Sequence, residues 1–119
     1  MKVLIVEDEM IIAIDLESLI EQSGNDCVGV SSNLVQAKKL MTNDVKIIFM
    51  DINLNGKDNG FEVAEILRKD FDFYLVFISA SNNKEKVKRA ESFNNCTFIK
   101  KPFTHNTIEQ VIENAKTLY

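Results

Sequence analysis

Val45-Lys46-Ile47-Ile48-Phe49-Met50 is the most hydrophobic strand candidate in the chain, and it stops abruptly at the carboxylate of Asp51. Like it, the compact apolar run 2–6 is bounded by charge, and it reads as a strand buried on both faces. Such a strand needs helices above and below it, and the flanking sequence supplies them. Upstream, Ser31-Ser32 can cap a helix over about 33–41 that turns Leu34, Ala37, Leu40 and Met41 inward. Residues 27–30 form a short strand before it. Further back, 10–22 has a helical period, with Ile12, Leu16, Leu19 and Ile20 opposite Asp15, Glu17, Ser18 and Glu21. Gly24 supplies the left-handed residue that ends this helix. The chain opens on 2–6, a compact apolar strand that runs into Glu7-Asp8-Glu9.

Downstream of Asp51, the polar stretch 52–59, with Gly56 and Asn59-Gly60, reads as a loop. A helix over 61–68 can pack Phe61, Ala64, Ile66 and Leu67. A fourth strand, 74–78, leads into Ser79-Ala80-Ser81. The helix expected over 83–92 is dominated by charge, with Val87 and Ala90 as a thin apolar side, and reads mostly as a solvated face. The strand 97–99 closes on Lys100-Lys101-Pro102. Behind a Thr104 cap, Ile108, Val111, Ile112, Ala115 and Leu118 mark a final amphipathic helix. Five strand–helix pairs in regular alternation predict an α/β domain with a parallel sheet covered on both faces. No repeat or linker interrupts the pattern, so residues 1–119 are expected to form a single domain.

Composition narrows the function classes. The chain has 119 residues, of which 45% are hydrophobic and 27% charged, with a net charge of −4. That balance suits one globular domain and argues against direct nucleic-acid binding, since no basic excess exists to displace counterions. No apolar stretch approaches a bilayer's thickness, and no signal peptide is visible. Cys27 and Cys96 form neither a disulfide framework nor a paired metal motif; reduced thiols in a cytoplasmic protein are expected. Asn95-Cys96-Thr97 matches a glycosylation pattern that has no meaning without secretion.

In an open parallel sheet, ligands bind outside the carboxyl ends of the strands. The first strand delivers Glu7 and Asp8 there, the third Asp51, the fourth Ser79 and the fifth Lys101. Polar residues commonly end strands, so each is ordinary alone; their convergence is not. Crowded carboxylates need a proton or a cation between them. Oxygen donors without His or Cys favour Mg²⁺, which keeps waters and prefers to meet a phosphate. A hydroxyl and a lysine opposite could neutralise the oxygens of a transferring phosphoryl group. Asp51, central among them, would be the nucleophile that forms an acyl phosphate.

Val6-Glu7-Asp8, Met50-Asp51, Ser79-Ala80 and Lys101-Pro102-Phe103 occur in the order and near the spacing of a known family. Over essentially its whole length the chain resembles the response-regulator receiver domain of two-component signalling. The resemblance implies a flavodoxin-like sheet in strand order 2-1-3-4-5 within a three-layer sandwich. It implies that Asp51 accepts a phosphoryl group from a phosphohistidine on a sensor kinase or phosphotransfer protein. Glu7, Asp8 and Asp51 would arrange Mg²⁺, with the Asn53 backbone carbonyl completing the protein ligands, while Ser79 and Lys101 contact phosphoryl oxygens. Phe98 falls where receivers carry an aromatic switch residue; as an ordinary strand aromatic it would pack against the last helix. The Lys101–Pro102 bond resembles the family's cis peptide. Self-catalysed acceptance and slow self-dephosphorylation, not turnover of a substrate, would be the only chemistry. The surface of the fourth helix, fifth strand and fifth helix would serve switching, docking or homodimerisation. The sequence departs from the commonest pattern after Asp51, where Asn55 and Gly56 stand without a proline and Gly60 lies nine residues on, as in longer-loop receivers.

Rival classes are weaker. An aspartyl-phosphate phosphotransferase of haloacid-dehalogenase type needs an acidic residue two positions after its nucleophile, where Asn53 stands. Gly56-Lys57 lacks the preceding glycine of a P-loop. A flavin phosphate would be repelled by the acidic first loop. A receiver-like interaction module that works without phosphorylation would not need the intact acidic set, Ser79 and Lys101. His105 reads as a surface residue. The final helix shows no ordinary C-cap, which suggests a piece of a longer protein whose output lies elsewhere.

Overall fold

The structure, a computed structural model, describes residues 1–55, 59–81 and 83–119. Ten elements alternate: β1 (Lys2–Val6), α1 (Met10–Gln22), β2 (Asp26–Ser31), α2 (Leu34–Leu40), β3 (Val45–Asp51), α3 (Gly60–Asp70), β4 (Tyr74–Ser79), α4 (Lys84–Glu91), β5 (Cys96–Lys100) and α5 (His105–Lys116). The five strands form one sheet in the order β2-β1-β3-β4-β5, and every pairing is parallel. This is the flavodoxin-like doubly wound arrangement.

Alternation along each strand builds two cores. Val3 and Ile5, Ile47 and Phe49, and Val76 and Ile78 face one side, where α1 and α5 contribute Ala13, Leu16, Ile20, Ile108 and Ile112. Leu4, Ile48, Met50, Leu75 and Phe77 face the other, covered by α2, α3 and α4. Each fully buried side chain of this size is worth about 1.5–3 kcal/mol relative to exposure. On the second side Phe61, Phe77 and Phe93 cluster, with Phe77 ring centroids 5.0 Å from both neighbours.

The central strands place their last residues in register at one edge. Asp51 pairs with Ile78, and Ser79 with Lys100. Within β2, Val28 is an extra residue between the Val3–Cys27 and Leu4–Gly29 pairings, so this outer strand is bulged.

Several expectations need correction. The cap of α2 is Asn33, whose side chain accepts from the Gln36 N–H, rather than Ser31-Ser32. Ser31 belongs to β2, and its buried hydroxyl donates to the Ile5 carbonyl. The third helix starts earlier and ends later than 61–68, and Val63 is buried while Ile66 is only half-buried. Phe98 does not pack against α5. It lies one residue from Ile99 along β5, so it points to the α3–α4 side, while Ile99 joins the α5 side. The charged face of α4 is not wholly solvated: Arg89 contacts Glu62 and Glu65 on α3, each at 3.4 Å, and lies 4.5 Å above the Phe61 ring. The expectations at Gly56 and Lys57 lie outside the described residues.

Candidate functional site

Each strand delivers its polar residue through a local backbone arrangement. The Glu7 N–H continues the β1–β2 pairing by donating to the Ser31 carbonyl at 2.9 Å, which fixes Glu7 as a fully buried residue. Its Oε1 accepts from the Glu9 N–H at 3.1 Å. Asp51 is 2% exposed, and its Oδ1 accepts from the Asn53 N–H at 3.1 Å. Just beyond it, the Ile52 N–H donates to the Ile78 carbonyl. Ser79 is buried at the end of β4, and its carbonyl accepts from the Lys101 N–H at 2.8 Å. The Lys101–Pro102 peptide that follows is cis.

Glu7, Asp8 and Asp51 each offer a carboxylate oxygen within 4.8 Å of the others. Glu7 Oε2, Asp8 Oδ1 and Asp51 Oδ2 are buried without an aligned hydrogen-bond donor. Charge reaches two of them all the same, because Lys101 Nζ lies 3.0 Å from Glu7 Oε2 and 3.5 Å from Asp51 Oδ2. A third carboxylate, Glu9, stands 3.7 Å from the same ammonium.

The electrostatic consequences are opposite for acid and base. Burial, followed by the adjoining Glu7 carboxylate, pushes Asp51 up to about 7; Lys101 and the Asn53 N–H oppose the shift but do not cancel it. Burial acts to lower the Lys101 ammonium, yet Glu7, Asp51 and Glu9 outweigh it and the net shift is upward. Without a further cation the site therefore holds more negative charge than Lys101 neutralises. Three orphaned, hard oxygen donors around one point fit a divalent cation of the magnesium class.

A cavity of about 260 Å³ opens above these groups, lined by Asp8, Glu9, Asp51, Asn53, Ser79, Ala80, Ser81, Lys86 and Lys101. Beside it a more apolar cavity of about 350 Å³ lies between α1 and the segment that follows β5, lined by Ile12, Pro102 and Phe103 among others. All the strand-end residues expected at the site are thus brought together. Phe98 stands apart, half-buried in β5 opposite Phe77.

The family profile described as response regulator receiver domain matches residues 3–113. The chain belongs to that family. This receiver domain is 32% identical over 116 residues to the phyllosphere-induced regulator PhyR of Methylorubrum extorquens, covering 96% of the chain and 43% of that protein. It is 31% identical over 118 residues to the sensory transduction protein LytT of Bacillus anthracis, covering 98% and 47%. It thus spans less than half the length of these curated relatives. Among solved structures, the signal receiver domain of a modulated diguanylate cyclase from Desulfovibrio desulfuricans superposes with a TM-score of 0.83 at 31% identity, covering 98% of this chain and 94% of that one. The receiver domain of PhyR from Erythrobacter litoralis superposes at 0.82 with 27% identity, covering 98% and 89%.

Some of this receiver's site was not foreseen. Asn55, at a φ of 55°, turns its N–H to donate to Asp8 Oδ2 at 2.7 Å. An Asn tolerating the left-handed region is the only sequence signal for that contact. Glu9 as a partner of Lys101 was adjacent to the acidic pair and could have been suspected. Gly60 abuts the backbone of Asp51 itself: a Cβ built there would lie 2.2 Å from the Asp51 carbonyl oxygen.

Proposed function

We propose that this receiver domain takes a phosphoryl group on Asp51 from a phosphohistidine of a sensor kinase or a histidine phosphotransfer protein, and that the modification alters its α4-β5-α5 surface. The observation that carries this is a nearly inaccessible carboxylate, Asp51, held beside the carboxylates of Glu7 and Asp8 and within 3.5 Å of Lys101, which also contacts Glu7. An oxygen of Asp51 attacks phosphorus, the phosphorus–nitrogen bond breaks, and the imidazole leaves with the electron pair and takes up a proton. The product is an acyl phosphate. Glu7, Asp8, Asp51 and the Asn53 carbonyl would hold Mg²⁺, which when bound supplies positive charge to the transferring oxygens.

The chain's own groups do the rest. Lys101 stands ready to donate to one phosphoryl oxygen, and Ser79, lining the same cavity, to another. Drawing Ser79 toward the new group opens space behind it toward β5, where Phe98 can change rotamer. The switch is a shift between two arrangements, typically biased by about 1–3 kcal/mol. For docking, α1 leaves Met10, Ile11 and Ile14 exposed at its start, next to the apolar cavity that borders the site. This apolar rim suits the packed face of a phosphodonor helix. The α4-β5-α5 face would serve a second copy or an output partner. No helix among the described residues is long and apolar enough to cross a membrane. On this reading the domain works in the cytoplasm, as a regulator rather than as an enzyme with turnover.

Acetyl phosphate with Mg²⁺ tests the assignment. One acid-stable, base-labile phosphoryl group should appear in intact-mass spectra and vanish in Asp51→Asn, which keeps the shape and removes the nucleophile. Equal labelling of Asp51→Asn would overturn it.

A further inference from the structure

Phosphorylation would replace a carboxyl group carrying at most one negative charge with a group carrying about two at neutral pH. Lys101 is already engaged before that charge arrives, with Glu7, Asp51 and Glu9 within 3.7 Å. A second cation lines the same cavity: Lys86, half-buried in the first turn of α4.

The chain between β4 and α4 holds that turn to the site through a ladder of side-chain acceptors. The Ser81 N–H donates to Ser79 Oγ at 3.1 Å, and the Asn83 N–H donates to Ser81 Oγ at 3.1 Å. Asn83 Oδ1 in turn accepts from the Lys86 N–H at 3.3 Å, and from that of Glu85 at 2.9 Å. The hydroxyl that lines the cavity beside Asp51 is therefore tied in three steps to the backbone of Lys86. Its ammonium is thereby carried by the helix whose position the switch would alter.

We propose that Lys86 is the second cation of the phosphoryl site, which rests on the reading of Asp51 as phosphoacceptor: it draws an anionic phosphodonor toward Asp51 and contacts the phosphoryl group from the α4 side. A positive rim raises the local concentration of an anion, and an ammonium offers it a charge-assisted hydrogen bond. Because Lys86 belongs to α4, the added charge acts on that helix directly as well as through Ser79.

Labelling of Asp51 by acetyl phosphate at saturating Mg²⁺ should be timed for the wild-type chain, Lys86→Gln and Lys86→Arg, at low and high salt. Lys86→Gln should label on the order of three- to tenfold more slowly at low salt. Lys86→Arg should restore most of the rate, and the deficit should shrink at high salt, where the anion is screened. Mg²⁺ affinity, titrated by NMR without phosphodonor, should be unchanged or tighter in Lys86→Gln, because a cation has been removed near a cation site. A purely structural role for Lys86 would give neither the arginine rescue nor the salt dependence. Labelling of Lys86→Gln at the wild-type rate, or a deficit indifferent to salt, would sink the proposal. Absence of label at Asp51 in the wild-type chain would instead remove the phosphoacceptor role, and the role of Lys86 with it.

Discussion

Lys101 sits among more carboxylates than it can neutralise, with a side chain only 11% exposed and a fully buried Glu7 as its nearest partner. Removing one member of a buried ion pair leaves the other charge uncompensated, which typically costs about 3–5 kcal/mol. Lys101→Ala should lose stability of this order in urea unfolding without divalent metal, and recover part of it when Mg²⁺ is added. A variant as stable as wild type in metal-free buffer would mean that Glu7 is held by something other than Lys101. At this scale the sequence is informative where a residue's place follows from its position at a strand end, as for Glu7, Asp8, Asp51, Ser79 and Lys101, which the fold brings to one edge. It gives only adjacency to Glu7-Asp8 as a hint for Glu9 and nothing for Lys86, whose approach to the cavity depends on how α4 leaves the sheet. For Phe98 the side of the sheet follows from counting alternate residues along β5, and the expectation of packing on the last helix missed that count.

At the level of elements, the start of α3 is built against the end of β3. The Gly60 N–H donates to the Ile52 carbonyl at 2.9 Å, and a Cβ at Gly60 would lie 2.2 Å from the Asp51 carbonyl oxygen and 2.7 Å from Ile52 Cα. Both are backbone atoms, so neither can swing aside. Gly60→Ala should therefore destabilise the fold by about 1–3 kcal/mol or more through overpacking, and should slow labelling of Asp51 by displacing it. Gly24→Ala is the matched control: the space there is open, and only the left-handed φ of 82° opposes a side chain. Thermal melts and labelling rates of the two variants separate the effects; a Gly60→Ala chain that labels normally would show that α3 can retreat without moving Asp51. The alternation of elements was plain because apolar runs and helical periods differ so clearly along this chain. The Gly60 contact was not, because a residue nine positions away meets Asp51 only once the loop has closed. Arg89 was equally hidden, since a charge run looks the same whether its members face water or stack on an aromatic ring.

At the scale of the whole molecule, Asp51 has its titration moved into the neutral range. Its pKa rises from an ordinary 3.8 to about 7. The folded chain therefore holds a proton that the unfolded chain releases at lower pH, so metal-free stability should fall as pH rises from about 4 to 7 and level off above that. Mg²⁺ competes with the same proton and binds the folded state. The rise in melting temperature on adding Mg²⁺ should accordingly be small at pH 5 and large at pH 8. An equal rise at both would place the metal away from Asp51.

The extra residue in β2 has a consequence for how copies of the domain meet. An outer strand with regular spacing offers a template to any passing extended chain. Around Val28 the row of outward donors and acceptors is out of step, so a second molecule cannot simply lengthen the sheet there. Crowded copies are steered away from the open-ended stacking that leads to fibres. Association between copies is left to the other edge of the sheet, at β5, and to the helical faces.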